Sequence, residues 1–177
     1  MTLPGVRPIR MFADQLHPDE LLVEIGVGGM GVAEHPQRLM TPALGSCVGV
    51  ALWDPSARRG GLAHVMLPAP SGSSANPESP RFASWAVPSL VELMIANGSE
   101  RRHLVAKIAG GAAMFRGEAS AANVGERNIA EVRHQLEIAH VRLVAEDTGG
   151  NFARTIELYL DSGVLVVRSY RLGTSEL

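Results

Sequence analysis

Apolar positions along this chain recur mostly at strand spacing, broken by two stretches at helical spacing. Leu21-Leu-Val-Glu-Ile-Gly-Val27 opens the ordered part as a strand, and Leu39 to Thr41 reads as a short extended piece. Cys47 to Trp53 is rich in β-branched and apolar residues and stops at Asp54-Pro55, a turn signal. Arg58-Arg59-Gly60-Gly61 is expected to turn the chain into a second strand, Leu62 to Leu67, so that the two pair as a β-hairpin. Ala69 to Pro80 is rich in Ser, Pro and Gly and reads as a surface loop. Phe82 to Ala96 places Val87, Leu90, Val91, Met94 and Ile95 on or near one helical stripe, with Asn97-Gly98 as a stop. Pro88 requires either a helix start near Val87 or a kink. Leu104 to Ala109 reads as a strand, and Glu126 to Ala139 as a second helix with Ile129, Val132, Leu136 and Ala139 on one face. Val141 to Glu146 follows as a strand, and Thr155 to Leu160 and Gly163 to Arg168 flank Asp161-Ser162 as a hairpin. The pattern implies one α/β domain of mostly antiparallel or mixed sheets packed against two main helices. Its expected bounds are 21–170, with an irregular leader over 1–20 and a C-terminal tail over 171–177.

Composition narrows the function. At 177 residues and 46% hydrophobic the chain can bury a sizeable core, and with only 5% aromatic residues that core must be aliphatic. A net charge of −2 gives no basic footprint for nucleic acid or anionic lipid. The apolar runs are shorter than the ~18–20 residues of a membrane span, and the first residues carry no apolar signal-peptide core, so a cytoplasmic protein is expected. One cysteine excludes an intramolecular disulfide and a multi-thiolate zinc site, and the six histidines show no metal-ligand spacing. No metal or cofactor is expected.

Gly26, Gly28 and Gly31 match a G-x-G-x-x-G spacing after a strand. Dinucleotide binding would need a helix immediately afterwards, and Glu34-His35-Pro36 stands there instead. The chemistry left is a single thiol, Cys47, and an imidazole, His64, each in a glycine-flanked apolar segment. Residue type alone favours a buried structural role for a free cysteine and a satisfied strand position for the histidine. Gly45-Ser46 before the cysteine reads as a tight turn whose amides can converge on an oxyanion. Thr41 is either a strand-end residue or the hydroxyl that orients the imidazole. In a hairpin centred near residue 57, residue 64 falls three places from the partner of residue 47, roughly 10 Å at ~3.4 Å per residue. A bulge or a longer loop, which Gly60-Gly61 permits, would close much of that gap, so the pattern permits the pairing without requiring it.

Several blocks in order carry a more specific signal: Thr41 six residues before Cys47, Leu44-Gly-Ser-Cys-Val-Gly-Val50, Trp53-Asp-Pro55, Gly60-Gly-Leu-Ala-His-Val-Met-Leu-Pro68, Gly110-Gly-Ala-Ala-Met-Phe115, Asn123-Val-Gly-Glu-Arg-Asn-Ile129 and Asp147-Thr-Gly-Gly150. Together they resemble the chemoreceptor glutamine deamidase family, CheD, across nearly the whole chain. Pro42-Ala43 replaces the glycine-containing pair usual in that family, Ser84 a usual acidic residue, and Ala153 an expected glycine.

The resemblance implies a cysteine hydrolase that converts glutamines of methyl-accepting chemotaxis receptors to glutamate with release of ammonia. Cys47 would be the nucleophile, His64 the base and Thr41 the third member, with Gly45 and Ser46 at the oxyanion. It also implies a fold like the deamidase domain of cytotoxic necrotizing factor toxins, and a CheC-type phosphatase as a further partner. For catalysis the expectation is a Cys47 thiolate–His64 imidazolium pair, with Thr41 accepting a hydrogen bond from the second ring nitrogen. The competing readings are a non-catalytic adaptor of the chemotaxis system, and a thiol peptidase or transglutaminase using the same nucleophile.

Overall fold

The computed structural model describes residues 21–72, 76–114 and 122–177; the expected leader, and residues 73–75 of the expected surface loop, lie outside that range. Strands β1 (Leu22–Glu24), β2 (Met30–Glu34), β3 (Arg38–Leu44), β4 (Val48–Asp54) and β5 (Arg59–Val65) precede helix α1 (Ala83–Ala96). Strand β6 (Val105–Gly110), helix α2 (Ala122–Ile138), and strands β7 (Arg142–Thr148), β8 (Arg154–Tyr159), β9 (Leu165–Ser169) and β10 (Gly173–Glu176) follow. They form two mixed five-stranded sheets, ordered β1-β3-β8-β9-β10 and β2-β5-β4-β6-β7. In the second sheet β6 and β7 pair in parallel, joined through α2, and the other neighbours are antiparallel. The expected mixed α/β domain with two helices is therefore present, built from more strands than the pattern displayed.

Strand β4 shows how the layers are stacked. Its alternate residues Val48, Val50 and Leu52 are fully buried in a core shared with Leu90, Val91 and Met94 of α1 and Val132 and Leu136 of α2. On the other face Ala51 belongs to a second core with Leu39 and Leu44 of β3, Ile156 and Leu158 of β8, and Leu165 of β9, and Trp53 and the preceding Cys47 pack against it. The order is thus helices, then the β4-containing sheet, then the β3-containing sheet. A strand covered on both faces reads as a continuous apolar run rather than as an alternation, as this one does.

Several sequence expectations change for physical reasons. Gly60 and Gly61 do not form the turn; Pro55 to Arg58 do, and both glycines lie inside β5. A Cβ on Gly60 would fall 2.3 Å from Leu160 and 2.8 Å from Leu158 of the opposite sheet, and one on Gly61 would fall 2.9 Å from Leu90 of α1. These glycines set how closely the layers approach. Helix α1 starts at Ala83 rather than near Val87, with Pro88 inside it. An interior proline costs ~3 kcal/mol, but each large side chain that α1 buries contributes ~1.5–3 kcal/mol, and Val87, Leu90, Val91 and Met94 are all fully buried.

Helix α2 begins at Ala122, so Glu126 stands in its second turn rather than at its N-terminus. A strand, β2, follows the glycine-spaced segment and runs through Gly31, with no helix there to hold a pyrophosphate. Residues 173–176, expected as part of a tail, pair with β9 as β10.

Gly60→Ala should destabilise the fold by ~1–3 kcal/mol through overpacking between the sheets. Urea denaturation checks this, and unchanged stability would contradict the close approach of the layers at this position.

Candidate active site

The site lies where the two sheets meet beyond the end of β4. Three elements supply it: β3 carries Thr41, the turn after β3 carries Gly45, Ser46 and Cys47, and β5 carries His64. Strand β3 points Leu39 and Thr41 inward in ordinary alternation, and then Leu44 inward as well. That change of parity needs an extra residue, which the register shift between Thr41 and Leu44 supplies. Ala43 absorbs it at φ 58°, in the left-handed region that favours glycine. Glycine would adopt this conformation freely, and Ala43 accepts the strain.

The β4–β5 hairpin runs without a bulge, pairing Gly49 with His64 and Asp54 with Arg59. The bulge that the sequence permits as one way to bring Cys47 and His64 together is absent, and the geometry does not need it. Cys47 precedes Gly49 by two residues, so it shares a face with His64 as a diagonal cross-strand neighbour, for which separations are ~7–8 Å between backbones and less between side chains. Gly49, between them on that face, has no side chain to intervene; a Cβ there would lie 2.4 Å from Ile156.

His64 is fully buried and Thr41 equally so. Thr41 Oγ1 lies 2.6 Å from the Ile25 carbonyl and 2.7 Å from His64 Nδ1. A hydroxyl has one proton, and the carbonyl can only accept. Thr41 therefore donates to Ile25 and accepts from Nδ1–H, which assigns the tautomer by its network. Nε2 is left with a bare lone pair, buried and without a hydrogen-bond partner among the described residues. An unpaired buried polar group costs ~1–3 kcal/mol, so this nitrogen is a place where stability is given up.

Cys47 is half-buried. Burial raises its thiol above the ordinary value of 9.0, an effect opposed by its own backbone N–H. Burial lowers His64 below its ordinary 6.5. Both shifts disfavour the charged forms. Burial thus works against the expected resting thiolate–imidazolium pair at both groups.

The turn itself is anchored by its carbonyls. Gly45 O accepts from the Ala112 amide at 2.8 Å, Cys47 O accepts from the Gly111 amide at 2.8 Å, and Ser46 O accepts from Asn128 Nδ2 at 2.9 Å. Gly110, at φ 110°, must be glycine, because a Cβ would fall 2.3 Å from the Cys47 carbonyl. Met114, 41% exposed, packs beside Gly45 at the rim. No group of three or more His, Cys, Asp or Glu side chains suited to a metal converges among the described residues.

The structure thus brings Thr41 and His64 into direct contact and places Cys47, Ser46 and Gly45 on the adjoining turn. Sequence reasoning missed the Ile25 carbonyl, the Gly111 and Ala112 amides, and Asn128. A backbone carbonyl leaves no residue-type signal. Asn128 does leave one: it is a polar residue four positions before Val132 and eight before Leu136, on the buried stripe of α2.

Fold and site together define a three-layer domain with a thiol and a hydrogen-bonded imidazole on one face of a strand pair, at the edge of its inter-sheet core. The chain belongs to the CheD family. The family profile described as CheD chemotactic sensory transduction matches residues 66–169. A Geobacter metallireducens protein named probable chemoreceptor glutamine deamidase CheD 2 is 42% identical over 159 residues, covering 88% of this chain and 98% of its own. An alignment of that extent spans residues 41–64 wherever it begins. A Moorella thermoacetica protein named probable chemoreceptor glutamine deamidase CheD is 46% identical, covering 83% of this chain and 90% of its own. The chemoreceptor glutamine deamidase CheD of Thermotoga maritima is 44% identical, covering 81% and 89%. Among solved structures, the Bacillus licheniformis protein YfiH matches with a TM-score of 0.45 at 16% identity, covering 67% of this chain and 49% of that one.

Nitrogen NMR of His64 should show Nδ1 protonated and Nε2 bare at pH 7. A proton on Nε2 would contradict the hydrogen-bond assignment through Thr41.

Proposed function

We propose that this protein is a chemoreceptor glutamine deamidase, hydrolysing the side-chain amide of receptor glutamines through a Cys47 thioester. The observation that carries the chemistry is the bare, buried Nε2 of His64, held in that tautomer by Thr41 on the face that Cys47 shares. The relatives' names supply the substrate: receptors of the chemotaxis system.

Because burial disfavours both charged forms, we take the pair as neutral at rest, and that sets the order of events. His64 Nε2 takes the Cys47 proton as Sγ attacks the glutamine δ-carbon, so charge develops only once substrate covers the site. The carbonyl π bond opens and its electron pair moves onto oxygen. The amide of Cys47, with that of Ser46, is the donor available to this oxyanion. The imidazolium then gives its proton to the departing nitrogen, the C–N bond breaks, and ammonia leaves a γ-glutamyl thioester. A water, deprotonated by the same Nε2, adds to the thioester, and the sulfur departs as the proton returns to it. The products are glutamate and the original thiol. Thr41 is neutral, so it orients the ring and stabilises the imidazolium less than a carboxylate would.

The same reading makes the receptors' cytoplasmic helices and a CheC-type phosphatase the partners, and the cytoplasm the place of action. No described helix is long and apolar enough to cross a membrane. The proposed likeness to the deamidase domain of cytotoxic necrotizing factor toxins rests on the shared reaction type and the sheet-and-helix layering.

Receptor incubated with the protein should gain about one dalton at individual glutamines by mass spectrometry, an amide-to-acid exchange expected of this hydrolysis. Cys47→Ser should remove the gain and His64→Ala nearly so, while Thr41→Val should lower the rate about 10- to 100-fold. Chain cleavage, or amine incorporation, would replace this reading with a peptidase or a transglutaminase. No covalent change at all would leave the adaptor.

The pH dependence follows from the two burial effects. His64 acts as base only when neutral, and its value is lowered, so kcat/KM should hold through neutrality and fall only below pH 6.5. Cys47 is raised, so iodoacetamide labelling of the free protein should climb through a midpoint above 9.0. A labelling midpoint well on the acid side of that value would restore the resting ion pair.

A further inference from the structure

Asn128 is fully buried on α2, remote in sequence from both Cys47 and His64. Its Nδ2 donates to the Ser46 carbonyl at 2.9 Å and to the Met66 carbonyl at 2.9 Å. Both amide protons are thereby used, which fixes the side chain's orientation and leaves Oδ1 without a hydrogen-bond partner among the described residues. The two carbonyls belong to the residue before Cys47 and to the second residue after His64.

The Ser46 carbonyl shares a peptide plane with the Cys47 N–H. In a trans peptide these two groups point in opposite directions. A donor that holds the carbonyl on the α2 side therefore aims the N–H away from α2. The neighbouring carbonyls of Gly45 and Cys47 are held by backbone amides of the Gly111-Ala112 segment, so the Ser46–Cys47 peptide is the one plane of the turn anchored by a side chain. Helix α2 comes close enough to do this because of glycines: a Cβ on Gly125 would fall 2.4 Å from the Gly111 carbonyl.

We propose that Asn128 is a positioning residue for the reaction. It orients the Cys47 amide as an oxyanion donor and ties the nucleophile turn to the segment that leaves His64. This deepens the proposed deamidase reading and rests on it. Because Asn128 acts through a backbone amide that matters only when an oxyanion forms, its removal should slow the chemical step. Receptor binding should be spared, and the thiol's reactivity should change far less than kcat: the Cys47 N–H only partly offsets the burial of its own sulfur, and alkylation by iodoacetamide passes through no oxyanion.

The test compares wild type, Asn128→Ala and Asn128→Ser for ammonia release from receptor and for iodoacetamide labelling of Cys47. Asn128→Ala should lower kcat about 100-fold, the size of a lost oxyanion contribution, with KM and the labelling rate within about threefold of wild type. Asn128→Ser keeps one donor and should fall between the two. If the alanine variant melts below the assay temperature, the serine variant decides by the same criteria. A wild-type kcat in a folded variant overturns the proposal, as does a labelling rate that falls in step with kcat, which would mark a general disturbance of the site. Wild-type protein that releases no ammonia overturns the deamidase reading instead.

Discussion

The hydrogen bond between Thr41 and His64 is the interaction on which the rest depends, because it is buried and it joins the two sheets. Thr41 stands in β3 of one sheet and His64 in β5 of the other, with no exposure at either residue. Neither side chain can turn to water if the sheets separate slightly, so the layers must meet at 2.7 Å between these atoms. Several local features serve that demand. Gly49 and Gly60 remove side chains from between the layers, and the bulge in β3 lets Thr41 and Leu44 both face inward. The carbonyl of Ile25 takes the hydroxyl proton and so decides which ring nitrogen stays bare.

Around that bond the site combines a rigid turn, which carries Cys47, with an imidazole whose charged form burial disfavours. Each carbonyl from Gly45 to Cys47 is anchored, two by backbone amides and one by Asn128. Such fixed dipoles need little reorganisation as charge develops. Burial disfavours the charged form of both the thiol and the imidazole. A free thiolate would be open to alkylation and oxidation, whereas a neutral thiol reacts chiefly where a carbonyl is placed against it and the base can receive its proton. This suits a catalyst whose selectivity comes from docking a protein surface.

The stretches legible in the sequence were those whose own residues carry a period. The two helices, the β4–β5 hairpin and the β8–β9 hairpin were all apparent, because apolar side chains bury on identifiable faces. Strand β10 was not, since its four residues are all exposed and only backbone pairing with β9 holds them. Strand β2, Met-Gly-Val-Ala-Glu, has too weak an alternation to declare itself and is held by pairing with β5. Gly60-Gly61 looked like a turn because glycine usually is one; here the absence of side chains serves layer packing instead. Pro88 left a helix boundary or a kink open, because the local cost of a proline does not include the burial that offsets it.

The sequence by itself determined a mixed α/β domain with an aliphatic core, and it identified Cys47, His64 and Thr41 as the residues to watch, through ordered motifs that resemble one family. Those properties reside in residue type and spacing. Only the tertiary structure decided that Thr41 touches His64, which ring nitrogen is bare, and that burial weighs against charge on both Cys47 and His64. It also brought Asn128 of α2 to the turn before Cys47. The physical reason is common to all of these. Each depends on a backbone carbonyl, a burial or a contact between elements far apart in the chain, and none of these is a property of a residue alone.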